Sequence, residues 1–521
     1  MNNKSTGLPR LNFVIPLVLG LAVAFAMGQM AGNGDYTRIA LIVVIAVGVI
    51  VCLTLKTRIW VLVPLCSSLS GKISVLPIPF SVQELSVMAV FGLFMVFYAL
   101  KLMPRGHPSG WLDVFVGANI AYLGTVFIRN PVGVAAFGTT MVGGKPYFGV
   151  LISLMAFWIF SRVSLTERLA RKLPILLFIG PVMISGIGIL TFFVPGLVPI
   201  IAPFYNGITL STYIETQSDG PAADPSQGSG RIDAFAPVGI TGVRALTSYY
   251  SPVSMLLPIY FVRFLLFSGS VIAVCLSGYR SVLIAAIAYV LLASWFRTGA
   301  KDVIRVTAIS AAALLVMILG NGSIFNLPVP IQRTLSFLPG NWNEAAVNEA
   351  QSSSEWRYTM WREVWNSDKW ITNKFFGDGF GFSEYELRIM QEAAFGGTGF
   401  IGGEVTEAQM ITGAFHSGPL SAIRYVGYTG FFLFLSFLIY LAYRAVKLLK
   451  LAKSTPYFPL ALFVCIPMIY EPFNYCFIFG AFDGGLAGAI FGAGMLKMIE
   501  ASINPSIATK KGMVASDSIG S

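Results

Sequence analysis

One short stretch, AFHSGPLSAIRYVGYTG (414–430), holds one of only two histidines among the 521 residues. Imidazole is the side chain best suited to moving a proton near neutral pH. Ser417, Gly418 and Pro419 follow it and read as a helix start, because proline fits the first helical turn and Ser or Gly can cap it. The positive end of that helix then faces His416. Its field disfavours the imidazolium and favours the neutral ring that a general base needs. The same bare N–H groups favour a nearby anion such as phosphate. At 100° per residue Leu420, Ile423, Gly427 and Gly430 share one helix face, where the glycines predict close helix packing. The plainer alternative is an interfacial histidine that only hydrogen-bonds.

Three arginines raise a matching question. Arg280 in LSGYRS ends one apolar run and starts the next, a costly position unless it meets a polar cavity or ligand, or snorkels to the interface. Arg357 lies among tryptophans in SSSEWRYTMWREVW, and Arg424 follows His416 by two turns. Guanidinium groups suit bidentate phosphate recognition. Gly377, Gly379 and Gly381 in FFGDGFGFSEYE do not form G-x-G-x-x-G and have no βαβ context, so they predict a tight loop, not a dinucleotide site. Glu471 is a carboxylate in or at the edge of an apolar run, for an ion pair or a relay. His107 falls in a basic loop and reads as solvated.

The elements that must position these groups are apolar. The chain is 55% hydrophobic and 11% charged, with a mean hydropathy of +0.74, whereas soluble domains carry about 25% charged residues. Runs of eighteen or more apolar residues recur throughout, each able to cross a hydrocarbon core of roughly 30 Å. The expected fold class is an all-α polytopic membrane protein of about 12–14 transmembrane helices, with one large extracytoplasmic loop containing short helices. The net charge of +11 sits in short loops between spans, as the positive-inside rule requires, so it does not point to nucleic acid. Cys52, Cys66, Cys275, Cys465 and Cys476 all fall in apolar runs and give neither a disulfide framework nor zinc spacing.

The runs predict spans near 11–31 (a retained helix), 38–55, 59–70 (a short dip), 82–100, 111–128, 146–161 and 174–202. An extracytoplasmic loop, 203–245, with four acids against two arginines, follows these N-terminal helices of 1–202. Transmembrane helices occupy 246–320, where a hairpin broken at Arg263 keeps the compartments consistent. The large outer loop is 321–417, with eleven acids against six basic residues. Transmembrane helices of 418–499 and a cytoplasmic tail, 500–521, complete the chain. Trp356, Trp361 and Trp365 in the large loop predict a helical face for packing or for stacking on sugar.

Together these features resemble the O-antigen ligase and O-antigen polymerase superfamily of bacterial envelope glycan enzymes. The family pattern of His, then Asn/Ser/Gln, nine residues and G-x-x-G/T/Y is met by His416, Ser417, Gly427 and Gly430. LSGYRS is similar to the family's T-G-S-R-G span end, placing its arginine on Arg280. Arg357 and Trp361 look like its R-x-x-x-W loop entry, and Gly377, Gly379 and Gly381 like its G-x-G-x-G loop. The matches run in family order over roughly 250–445. Tyr279, Arg424 and Tyr425 depart from the usual residues.

The resemblance implies a metal-independent, inverting glycosyltransferase of the bacterial inner membrane, active on the periplasmic or exterior side and needing no cofactor. Its donor is a glycan on undecaprenyl diphosphate; its acceptor is a hydroxyl of a glycan or lipid-anchored molecule, and no nucleic acid is involved. His416 is then the base, with Arg280, Arg357 and Arg424 on the diphosphate and Gly427 and Gly430 packing beside them. An exporter of lipid-linked oligosaccharide is the alternative, and it calls for charges near the bilayer midplane. A metal-using glycosyltransferase would need an early outer acid pair, where GNGDYT (32–37) offers only Asp35.

Overall fold

The computed structural model describes residues 56–73, 80–101, 106–108, 110–133, 143–202, 232–382 and 413–517, with scattered positions in 24–48 and at 205, 410 and 411. The spans expected at 11–31 and 38–55, the polar segment 206–231 and residues 383–409 lie wholly or largely outside them. The chain is an all-α polytopic membrane protein. Among the described residues nine helices are long and apolar enough to cross a bilayer, and Lys145–Phe160 is a shorter apolar helix.

The helices are α1 (Val82–Ala99), α2 (Trp111–Arg129), α3 (Lys145–Phe160), α4 (Glu167–Phe193), α5 (Phe235–Tyr249), α6 (Phe261–Leu276) and α7 (Arg280–Arg297). They continue as α8 (Ala300–Gly320), α9 (Val329–Leu335), α10 (Glu344–Asn366), α11 (Gly418–Ala452), α12 (Phe458–Phe473) and α13 (Phe482–Asp517). Helix α1 starts on a capping box, in which Ser81 Oγ accepts from Glu84 N and Glu84 accepts from Ser81 N. Helices α1, α2, α3, α11 and α13 pack in one group and α4 to α7 in another, with α12 contacting both. Among the best-buried large side chains, Phe160 packs on Phe491 between α3 and α13, Phe437 on Phe115 between α11 and α2, and Phe434 on Tyr475 just past α12.

Several sequence expectations shift. The run 59–70 forms only a 3-10 turn, Lys56–Val61, and one helical turn, Leu62–Leu65, too short to cross. Helix α4 begins at Glu167, so Arg168, Arg171 and Lys172 sit on its first turns instead of in a loop. Helix α5 runs across the boundary drawn at 245/246. The break expected at Arg263 is corrected: Arg263 lies in the first turn of α6, and the chain breaks before it. Pro252 and Pro258, which supply no N–H, start a five-residue helix and a 3-10 turn there. Arg263 is held by the rings of Tyr250 and Tyr260. A break between α5 and α6 still gives two helices where one long run stands in the sequence.

Candidate functional site

His416 is one of two non-glycine residues with positive φ among the described residues, at φ 51°. A left-handed L-residue costs roughly 1–2 kcal/mol, so its surroundings must hold it there. On one side Phe415 is fully buried, and its carbonyl accepts a 2.6 Å hydrogen bond from Trp361 Nε1. On the other, Ser417 turns extended and α11 begins at Gly418 with Pro419 in its first turn. The Gly418 carbonyl accepts from Tyr475 Oη at 2.7 Å, and a Cβ at Gly418 would meet the Tyr475 carbonyl at 2.3 Å. The imidazole lies between two rings, Trp356 at 5.8 Å and Phe479 at 5.4 Å between centroids. Phe479 follows a π-helical turn, Asn474–Ile478, that ends α12.

Helix α10 supplies one wall. Its Met360 and Val364, one turn apart, join Trp370, Ile371, Phe415, Leu420 and Ile423 in a second hydrophobic cluster, with Trp356 and Trp361 packed on it. Two of the three aligned tryptophans therefore pack, while Trp365 is exposed. Helix α10 rests on α9, and α9 packs against α6 and α7.

Arg280 opens α7, where a cation meets the positive end of the helix dipole. Its Nη2 donates to Ala350 O at 2.8 Å and Ser354 Oγ at 3.2 Å, both on α10. The turn before it is held by α9. Buried Arg333 Nη1 donates to Gly278 O at 2.8 Å, and buried Thr334 Oγ1 to Cys275 O at 3.0 Å. Arg357 is half-buried, one turn beyond Ser354 on α10. One helix thus carries Arg357, receives Arg280, and lays Trp356 against His416.

Arg424 has a different setting. It is buried, and its Nη1 forms a 2.9 Å ion pair with Asp378 Oδ2. Asp378 also accepts from Thr372 N, Thr372 Oγ1 and Asn373 N. This fixes the loop of Gly377 and Gly379 against α11, where Gly427 breaks the helix at φ 68°, ψ −179°. The hydrogen bonds account for the break. The carbonyls of Arg424, Tyr425 and Val426 accept from Asp378 N, Gly379 N and Tyr122 Oη, and Tyr428 N and Thr429 N donate to Lys374 O and Phe375 O. A Cβ on Gly427 would meet Phe375 O at 2.2 Å, and one on Gly377 would meet Val426 N at 2.4 Å.

The expectation of an unbroken helix face is therefore corrected. Gly427 admits a strand of loop backbone, while Gly430 does pack closely, against Val426 and the ring of Tyr122. Sequence reasoning passed over Asp378, Arg333 and Thr334. Asp378, standing between two glycines of the loop already singled out, was the one with a visible signal. His107 is not merely solvated, since its Nε2 lies 3.0 Å from Val163 O.

Neither a comparison with protein-family models nor one with curated proteins finds a match.

Proposed function

We propose that the chain is a glycosyltransferase that moves a glycan from undecaprenyl diphosphate to an acceptor hydroxyl, as an O-antigen ligase or a polysaccharide polymerase does. The observation that carries this reading is the gathering of His416, Arg280 and Arg357 around α10. The acceptor oxygen attacks the anomeric carbon, its proton passes to the His416 ring, and the bond from that carbon to the diphosphate oxygen breaks. Attack opposite the leaving group inverts the anomeric centre. The departing diphosphate gains negative charge, which Arg280 and Arg357 stabilise by charge-assisted hydrogen bonds. Arg424, ion-paired to Asp378, positions the glycine loop and leaves the diphosphate to the other two. Under this reading the protein lies in the bacterial inner membrane with 12–14 spans, and the segment 321–417 and the His416 site face outward.

The test is deletion of the gene and complementation with the His416→Ala variant. The variant should insert and fold yet lower transfer by about 10²–10⁴, the contribution of a positioned base. Undiminished transfer would sink the mechanism. In the deletion strain, accumulated single repeat units on the lipid indicate a polymerase and accumulated long chains a ligase.

A second reading, an exporter of lipid-linked oligosaccharide, draws support from one observation: Arg244 and Glu471 line a cavity inside the helix bundle. Flipping of the lipid in reconstituted vesicles without glycan transfer would favour it.

A further inference from the structure

Pro467 interrupts α12 and has no N–H, so the Phe463 carbonyl one turn earlier loses its helical donor. Arg244 of α5 replaces it. Its Nη2 donates to Phe463 O at 2.9 Å, and its guanidinium carbon lies 4.3 Å from the centre of the Phe463 ring. That uses one of five N–H donors. Among the described residues no carboxylate pairs with Arg244, and its Nε is buried without a hydrogen-bond partner. A neutral amide would serve Phe463 equally well. An unpaired cation inside a membrane bundle costs several kcal/mol, so a guanidinium here exceeds what the helix break needs.

The same side chain lines a half-open cavity of ≈ 380 Å³ bordered by α4, α5, α11, α12, α13 and the turn at Ser67 and Ser68. Glu471 stands on its wall two turns beyond Phe463, about 12 Å along the helix axis. Among the described residues the Glu471 carboxylate receives only a long 3.4 Å contact from Asn474 Nδ2, and the neighbouring Tyr470 hydroxyl is buried with no partner. Gly484 and Gly488 on α13 also line the cavity, and a Cβ at either would meet nothing within 4 Å. The space is therefore not consumed by helix packing.

The wall offers one fixed cation and, farther along, one carboxylate, with apolar side chains such as Leu441 and Met468 filling much of the rest. That pattern matches a dipolar amphiphile. A planar guanidinium suits a phosphate, and a carboxylate suits an ammonium that still carries N–H donors. We propose that this cavity binds the headgroup of a zwitterionic phospholipid, its phosphate on Arg244 and its primary ammonium on Glu471. The site is separate from His416, and the inference does not rest on the glycan-transfer reading.

The experiment is native mass spectrometry of the detergent-purified full chain titrated with phosphatidylethanolamine, phosphatidylcholine or phosphatidylglycerol. Wild type should prefer phosphatidylethanolamine over phosphatidylcholine by roughly tenfold, because a quaternary ammonium gives Glu471 no N–H. Arg244→Gln, which keeps a donor for Phe463 O, should weaken phosphatidylethanolamine about tenfold, the loss of a charge-assisted contact. Glu471→Gln should remove the preference while leaving phosphatidylcholine binding as it was. Gly488→Leu fills the cavity without touching the Arg244–Phe463 bond and should abolish binding at an unchanged melting temperature. Free phosphoethanolamine that displaces the lipid supports the site and makes the headgroup alone sufficient. Failure to displace a lipid that the variants do release supports the bilayer as the source. Equal retention of phosphatidylethanolamine by wild type, Arg244→Gln and Gly488→Leu, or no preference among the three lipids, overturns the proposal.

Discussion

Arg424 and Asp378, 46 positions apart, form a largely buried ion pair at 2.9 Å that fastens the glycine loop to the first two turns of α11. Breaking a buried pair by removing one partner leaves a desolvated charge, which costs about 3–5 kcal/mol. Asp378→Ala should therefore lower thermal stability in detergent by that amount, and Arg424→Met with Asp378→Met should recover much of it. An Asp378→Ala variant as stable as wild type would mean that the loop is held by its backbone bonds alone.

Gly427 and Gly430 stand three apart in one motif and do different things. Gly427 occupies a backbone region essentially reserved for glycine, costing another residue roughly 1–3 kcal/mol in strain alone. The contact with Phe375 O adds to that. Gly430 has an ordinary helical backbone, so an added methyl there meets Val426 Cβ at 2.4 Å and the Tyr122 ring at 2.7 Å without the backbone strain and main-chain clash of Gly427. Gly427→Ala should thus unfold at a markedly lower temperature than Gly430→Ala and expose the loop around 375 to protease. The reverse order would contradict this division of roles.

This difference also marks how far the sequence could be read. Hydropathy located nearly every long helix, because eighteen apolar residues carry their signal locally. Ser417–Gly418–Pro419 likewise placed the start of α11 within a residue. The break at Gly427 was not legible, since it arises from four hydrogen bonds to a loop about fifty positions earlier and a fifth to Tyr122 on α2. The break before α6 lies not at Arg263, where consistent compartments put it, but at Pro252 and Pro258, whose missing N–H groups interrupt the run. The positive φ of His416 has no local cause either: glycine is absent there, and distant Trp361 and Tyr475 hold Phe415 before it and Gly418 two residues after it.

Arg280 distinguishes geometry from charge. Its two bonds to α10 leave from one guanidinium nitrogen, which a lysine ammonium cannot replace while also meeting a phosphate in a plane. Under the transfer reading Arg280→Lys should keep the fold and lower turnover by about 10²–10³, the range for losing one donor to a developing oxyanion. Single-turnover assays on a lipid-linked glycan read this directly. A lysine variant with wild-type turnover would remove Arg280 from the site.

His416 sits in a left-handed backbone conformation that the transfer reading would explain. The φ of 51° is one that asparagine adopts with least strain among the non-glycine residues. Asparagine could also keep a polar group between Trp356 and Phe479. If the residue served only to shape the turn before α11, natural choice would favour asparagine or glycine. We therefore expect His416→Asn to melt at or above the wild-type temperature, gaining up to about 1 kcal/mol from relieved strain. The same variant should lose transfer as completely as His416→Ala, because a carboxamide cannot take the acceptor's proton. Melting curves and transfer assays on one preparation decide the matter. A stabilised variant without transfer identifies the imidazole as the reason the strain is kept. A variant with transfer intact reduces His416 to a turn residue and leaves the proposed chemistry without its base.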